Sequence, residues 1–244
     1  MKNTFSLTKQ ITSTSIDYEN KMRFDTLLSS FQDVAIFHSN EMGVGFYDFL
    51  KSSNAIWVLT KVKLYAPKMP MLTETVKFST YPTDISALRF IREFTASGDM
   101  GGIAVGHSEW CVLDATTKSL RKANSLNYPF NLERRTDNVG LEFDNMRYEA
   151  TNLVYTYKVK LTDIDCNMHT NNVAYARMAL NAFDLNEYSN YNFNAFEIKF
   201  ASQSYYGNEI EIYKNQIEEN KVFITGRIKD KCIFSALLSK EKNM

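Results

Sequence analysis

Apolar residues recur at helical spacing early in the chain. From Phe24 they fall at Leu27, Leu28, Phe31, Val34, Ala35 and Phe37, before Gly43 and Gly45 close the run. That recurrence gathers them on one face, so a helix is predicted over residues 24–38. Residues 56–65, 75–81, 88–95 and 103–113 are instead rich in Val, Ile, Phe, Trp and Thr and read as strands. Proline, serine and glycine break the pattern at 67–70, 82–86 and 97–102. The first half is therefore expected to run as a leading strand, a long helix and an antiparallel meander.

Between Asn124 and Tyr148 the pattern decays into Asn, Asp, Arg and isolated hydrophobics, with Pro129 and Gly140 and no sustained period. Beyond it the same order returns: a strand at 153–161, a helix at 171–187, then strands at 196–200, 209–213, 222–229 and 233–239. An order repeated once suggests two copies of one domain. The expected boundaries are 1–128 and 149–244, with a connector at 129–148. A chain of 244 residues can hold two modest cores.

Hydrophobic residues at 44% and aromatics at 14% supply enough apolar surface for packed structure. Lys plus Arg and Asp plus Glu both number 28, so no global field draws in nucleic acid. Cys111, Cys166 and Cys232 are too scattered for a disulfide framework or a zinc site with short ligand spacing, which fits a reducing cytoplasm. Residues Met1 to Ile11 lack the unbroken apolar core of a signal peptide, and no window approaches the ~20 apolar residues of a membrane span. A cytoplasmic protein is expected.

Residues 163–175 carry the candidate chemistry: Asp-Ile-Asp-Cys-Asn-Met-His-Thr-Asn-Asn-Val-Ala-Tyr. In an extended stretch side chains alternate, so Asp165, Asn167 and His169 are expected to share a face, with Cys166 turned away into packing. Asn171 or Asn172 is placed to cap the following helix, whose first amides favour a developing negative charge. Val173, Ala176, Leu180 and Phe183 would turn that helix's apolar side inward. Asp163 reads as a strand end.

The segment resembles the D-x-D-x-N-x-H-x-N-N-V-x-Y signature of the acyl-ACP thioesterases at every fixed position. Similarity extends to Gln32-Asp33-Val34-Ala35 and His38, to Ile56-Trp57-Val58-Leu59-Thr60-Lys61, and to Trp110-Cys111-Val112-Leu113 leading into Leu120-Arg121-Lys122. The resemblance implies an α+β tandem hotdog, two long helices each wrapped by an antiparallel sheet. It implies hydrolysis of fatty acyl-ACP to free fatty acid and holo-ACP, ending chain elongation, with acyl carrier protein as partner and no cofactor or metal. It also implies that Asp165, Asn167 and His169 are catalytic.

One position departs from the family pattern. The family's further catalytic glutamate lies in an R-R-E-C stretch, and alignment on Gly207-Asn208 places Gln203 there, followed by Ser204. An amide cannot act as a general base, so a positional role is expected of Gln203. The implied reaction is attack of water on the thioester carbonyl, with His169 and Asp165 orienting or deprotonating the water and Asn167 plus helix amides holding the oxyanion. Which of Asp165 and His169 is the base stays open. An acyl-CoA thioesterase on the same fold and a non-catalytic acyl-chain binder are the alternatives, and a homodimer is compatible with either.

The first module's corresponding segment, Asn20-Lys21-Met22-Arg23, lacks the Asp, Asn and His set and reads as chemically empty. Its aromatics Phe31, Phe37, Phe46, Tyr47, Phe49 and Trp57 are expected in the core, and the resemblance assigns some of them to an acyl-chain pocket. Arg121-Lys122 and Arg134-Arg135 read as solvated charges, or as a basic patch where an acidic carrier protein docks.

Overall fold

The computed structural model describes residues 3–129 and 138–240. The chain divides into two compact units, 1–142 and 143–244.

The first unit opens with β1 (Phe5–Gln10) and continues through α1 (Phe24–Glu41), α2 (Phe46–Ser53), β2 (Ala55–Lys68), β3 (Thr75–Ile85), β4 (Phe90–Gly98) and β5 (Ile103–Asp114). Its strands are antiparallel in the order β1-β3-β4-β5-β2. The predicted apolar face of α1 meets this sheet: Phe24, Leu27, Leu28, Phe31, Val34 and Ala35 are buried. Phe31 stacks on Phe94 of β4 at 4.9 Å and meets the edge of Phe78 of β3 at 6.0 Å. Gly106 of β5 lets the ring in, since a Cβ there would stand 2.9 Å from Phe31. Burying such a ring stabilises the fold by ~1.5–3 kcal/mol. A second core cluster joins Phe49 of α2 to Trp57, Phe90 and Tyr128.

Two of the aromatics expected inside are not. Phe37 is 45% exposed and Tyr47 80% exposed, because each lies off the buried stripe of its helix.

The second unit repeats the order: β6 (Asn152–Lys158), α3 (Asn172–Leu180), α4 (Leu185–Tyr191), β7 (Ala195–Phe200), β8 (Glu209–Glu218), β9 (Lys221–Ile228) and β10 (Lys231–Ser239). Its sheet runs β7-β10-β9-β8-β6, antiparallel throughout. Each strand of one unit thus has a counterpart with the same neighbours in the other. Tyr175 of α3 packs on Phe200 and Phe234 of this sheet.

The helix expected at 171–187 is two short helices. Asn181 ends α3, and Asp184 caps α4 by accepting the Glu187 amide at 2.8 Å. Ala174, Tyr175, Ala176, Met178 and Ala179 form the buried face of α3, whereas Val173, Leu180 and Phe183 are only half-buried. Phe183 instead joins a cluster with Tyr188, Tyr191 and Phe193. Before β6, Asp144 donates its amide to both oxygens of Glu197, and Tyr148 packs on Phe223. No helix among the described residues is long and apolar enough to cross a membrane.

Candidate active site

The motif segment is not extended. A 3-10 turn at Leu161–Asp163 follows β6, then an isolated antiparallel bridge pairs Ile164 with Thr170, and residues 165–169 close a tight loop. The Asp165 amide donates to the His169 carbonyl at 2.9 Å, and the Met168 amide donates to the Asp165 carbonyl at 3.0 Å. Met168 takes the left-handed φ of 63° that the turn requires. The alternation expected of a strand therefore does not apply, because the chain reverses within the motif.

The Asp165 carboxylate helps make that reversal. Its Oδ1 accepts the amides of Asn167 at 2.8 Å and His169 at 3.3 Å, the side-chain-to-backbone bonding that suits aspartate to turns. Asp165 and His169 are half-buried and Asn167 is exposed, so the Asn167 residue sits at an open surface and the His169 residue is partly covered. The His169 ring meets Tyr205 edge-on at 5.1 Å. Cys166 is exposed rather than packed, since it lies on the outside of the loop.

Asp163 is buried and structural. Its carboxylate accepts the Lys160 amide at 2.8 Å and the Tyr157 hydroxyl at 2.9 Å, while its carbonyl accepts the Asn171 amide at 2.7 Å. Asn171 caps α3 by accepting the Val173 amide at 2.8 Å. The Ala174 and Tyr175 amides also turn to the Asn171 carbonyl. The first turn of α3 is thus capped from within, and its amides are less available to an oxyanion than the sequence suggests.

Three hydroxyls fasten the segment carrying Gln203 to this loop. Ser204 is fully buried, with its Oγ 2.7 Å from the Thr170 hydroxyl and 2.8 Å from the Tyr175 hydroxyl. The Ser204 amide donates to the Tyr175 oxygen, and the Thr170 amide donates to the Ser204 carbonyl, both at 2.9 Å. Burial pushes the Tyr175 phenol above its ordinary range, so it stays protonated as this network needs. Gln203 itself is exposed beside the latch. The sequence marks Ser204 only as the substitution beside Gln203 and Tyr175 only as the final motif tyrosine, and neither signal predicts that the two hydroxyls meet.

The first module's polar residues are differently disposed. Buried His38 has its Nδ1 2.9 Å from Arg92 Nη1, and burial lowers the Arg92 guanidinium to a pKa of about 10. His107 Nδ1 lies 2.8 Å from the buried Glu93 carboxylate. Arg121 is not merely solvated, since it bonds Asp114 at 3.2 Å and the Ser53 carbonyl at 3.1 Å. Arg134 and Arg135 lie outside the described residues.

Two α+β modules with the same strand order define a tandem hotdog fold. Residues 2–125 match the family model for the acyl-ACP thioesterase N-terminal domain and residues 147–234 that for the C-terminal domain, so the chain belongs to the acyl-ACP thioesterase family. It hydrolyses acyl-ACP thioesters. Among solved structures it is similar to an acyl-ACP thioesterase from Bacteroides thetaiotaomicron, with TM-score 0.89 and 20% identity over 98% of each chain. It is also similar to a 12:0-ACP thioesterase from Umbellularia californica, with TM-score 0.83 and 11% identity over 98% of this chain and 97% of that one. At these identities the likenesses establish the fold. Comparison with curated protein sequences finds no match.

Proposed function

We propose that the reaction takes place at the turn holding Asn167 and His169, that the substrate is a fatty acyl chain on acyl carrier protein, and that its release ends chain elongation. The observation that carries this reading is the shared loop. One turn carries both Asn167 and His169, and the segment holding Gln203 is fastened through Ser204 to Thr170, the residue after His169.

The chemistry follows from the groups present. Water attacks the thioester carbonyl carbon as a base takes its proton; the tetrahedral oxyanion is stabilised by the Asn167 side-chain amide; the C–S bond then breaks and the thiol leaves with a proton. His169 flanks the water in this scheme, on the turn whose amides the Asp165 carboxylate holds. Gln203 positions water or substrate by hydrogen bonding, since its amide does not accept a proton at neutral pH.

The first module, without an equivalent reactive set, holds the acyl tail. A cytoplasmic setting agrees with the three free cysteines among the described residues. The deciding experiment pairs one acyl chain on acyl carrier protein and on coenzyme A, measures both rates, and identifies the released acids from a panel of acyl lengths. Faster hydrolysis of the carrier-protein ester supports the reading. Preference for the coenzyme A ester would replace it with an acyl-CoA thioesterase, and binding without hydrolysis would replace it with an acyl-chain binder.

A further inference from the structure

The turn that presents Asn167 and His169 occurs twice in the chain. In the first module a 3-10 turn at Ser13–Ser15 is followed by an isolated bridge between Ile16 and Met22, as Leu161–Asp163 is followed by the bridge between Ile164 and Thr170. The Asp17 amide donates to the Lys21 carbonyl at 2.8 Å, matching Asp165 to His169 at 2.9 Å. The Asn20 amide donates to the Asp17 carbonyl at 3.2 Å, matching Met168 to Asp165 at 3.0 Å. Asn20 has φ 62° and Met168 φ 63°. The Arg23 amide donates to Ser15, as the Asn171 amide donates to Asp163.

The aspartate does the same work in both places. Asp17 Oδ1 accepts the amides of Glu19 at 2.9 Å and Lys21 at 3.0 Å; Asp165 Oδ1 accepts those of Asn167 at 2.8 Å and His169 at 3.3 Å. Register therefore sets Asp17 opposite Asp165, Glu19 opposite Asn167 and Lys21 opposite His169. Only the aspartate is common to the two loops. Two of the four positions that differ, those of Asn167 and His169, are the ones whose side chains would meet the thioester.

From this, and resting on the active-site reading above, we propose that Asp165 is a positioning residue. Its carboxylate builds the turn that aims Asn167 and His169, while His169 takes the proton from water. A carboxylate that must hold two amides in place is poorly suited to exchange that state for a protonated one on every turnover, since protonation weakens both bonds. The first loop, where no such chemistry is available, shows that the turn by itself is reason enough for an aspartate.

The proposal separates acceptor capacity from basicity. Asparagine and serine can accept the same amide bonds without serving as a base. Acyl-ACP hydrolysis is measured for Asp165→Asn, Asp165→Ser, Asp165→Ala and His169→Ala in the full chain, with circular dichroism to check folding and a pH profile of kcat/KM for each active variant. Asp165→Asn should keep turnover within ~10-fold of the parent with the same acidic limb, and Asp165→Ser should follow it. Asp165→Ala should lose more than either, and His169→Ala should lose ~10²-fold or more. A folded Asp165→Asn as inactive as His169→Ala, or one whose acidic limb disappears, would overturn the positioning role while leaving the site in place. Near-normal activity in His169→Ala would instead overturn the active-site reading, and this proposal with it.

Discussion

The Tyr175 hydroxyl lies 2.8 Å from the Ser204 hydroxyl and also accepts the Ser204 amide at 2.9 Å, so one phenol joins α3 to the loop carrying Gln203. Tyr175→Phe should cost ~1–3 kcal/mol, because it leaves the buried Ser204 amide without its acceptor. Turnover should fall several-fold as Gln203 loses its register with the motif turn. Urea unfolding and steady-state kinetics check the two effects separately, and an unchanged unfolding midpoint with unchanged turnover would show that the latch carries neither.

Gln203 is exposed beside that latch, so its substitution should leave the fold undisturbed. His169→Ala and Asn167→Ala should each reduce turnover by ~10²-fold, as loss of a base or an oxyanion donor does. Gln203→Ala should cost less than either. Gln203→Glu should raise activity, since an exposed position tolerates the added carboxylate and gains a group able to accept a proton. Turnover measured on one acyl-ACP ranks all four. A Gln203→Ala loss equal to that of His169→Ala would assign the glutamine more than a positional role.

Two phenols, Tyr175 buried and Tyr155 half-buried, predict the alkaline behaviour of the fold. Burial is the main cause that raises both Tyr155, which donates to the Met178 carbonyl at 2.6 Å, and Tyr175 above the usual tyrosine range. In the unfolded chain these groups lose their protons near pH ~10, whereas the folded protein retains them. The folded state then holds more protons, so stability is fully present below pH ~10 and declines as pH rises through the raised folded values. Thermal melts from pH 8 upward should show this decline, and Tyr155→Phe should flatten it. An identical slope in the variant would place the alkaline sensitivity elsewhere.

The duplicated turn makes a stability prediction that does not involve catalysis. Asp17→Ala removes the acceptor of the Glu19 and Lys21 amides and should cost ~1 kcal/mol, while Asp17→Asn should cost a few tenths. Denaturant midpoints of the two variants test this. Equal losses would mean that charge, not acceptor geometry, is what the turn requires.

The sequence was informative where residue type and spacing carry the physics directly. The apolar positions of α1 needed only helical periodicity, and the motif's polar residues were visible because their types and intervals are fixed. Their geometry was not visible, since alternation presupposes an extended backbone and the Asp165 carboxylate folds it into a turn. The break between α3 and α4 did leave a mark: Asp184 followed three residues later by Glu187 is a helix-start pattern, overridden by the continuous apolar spacing around it. Ser204 and Tyr175 are widely separated in sequence and meet only through tertiary packing, so no local rule could join them. The aspartate shared by the two turns left only a short mark, Thr14-Ser15-Ile16-Asp17 against Thr162-Asp163-Ile164-Asp165, and the residues that follow differ, so it is the matching hydrogen bonds that align the loops.

The turn at Asp17 has the backbone of the turn at Asp165 without its Asn and His. With Asp17 holding the same two amides, the first loop is a mould of the same shape that carries Glu19 and Lys21 in their place. It is consequently a host for transplantation: Glu19→Asn and Lys21→His would install the missing pair on a backbone already bent to receive it. One chain thereby carries its own control, in which the shape of the candidate loop is present without its side chains.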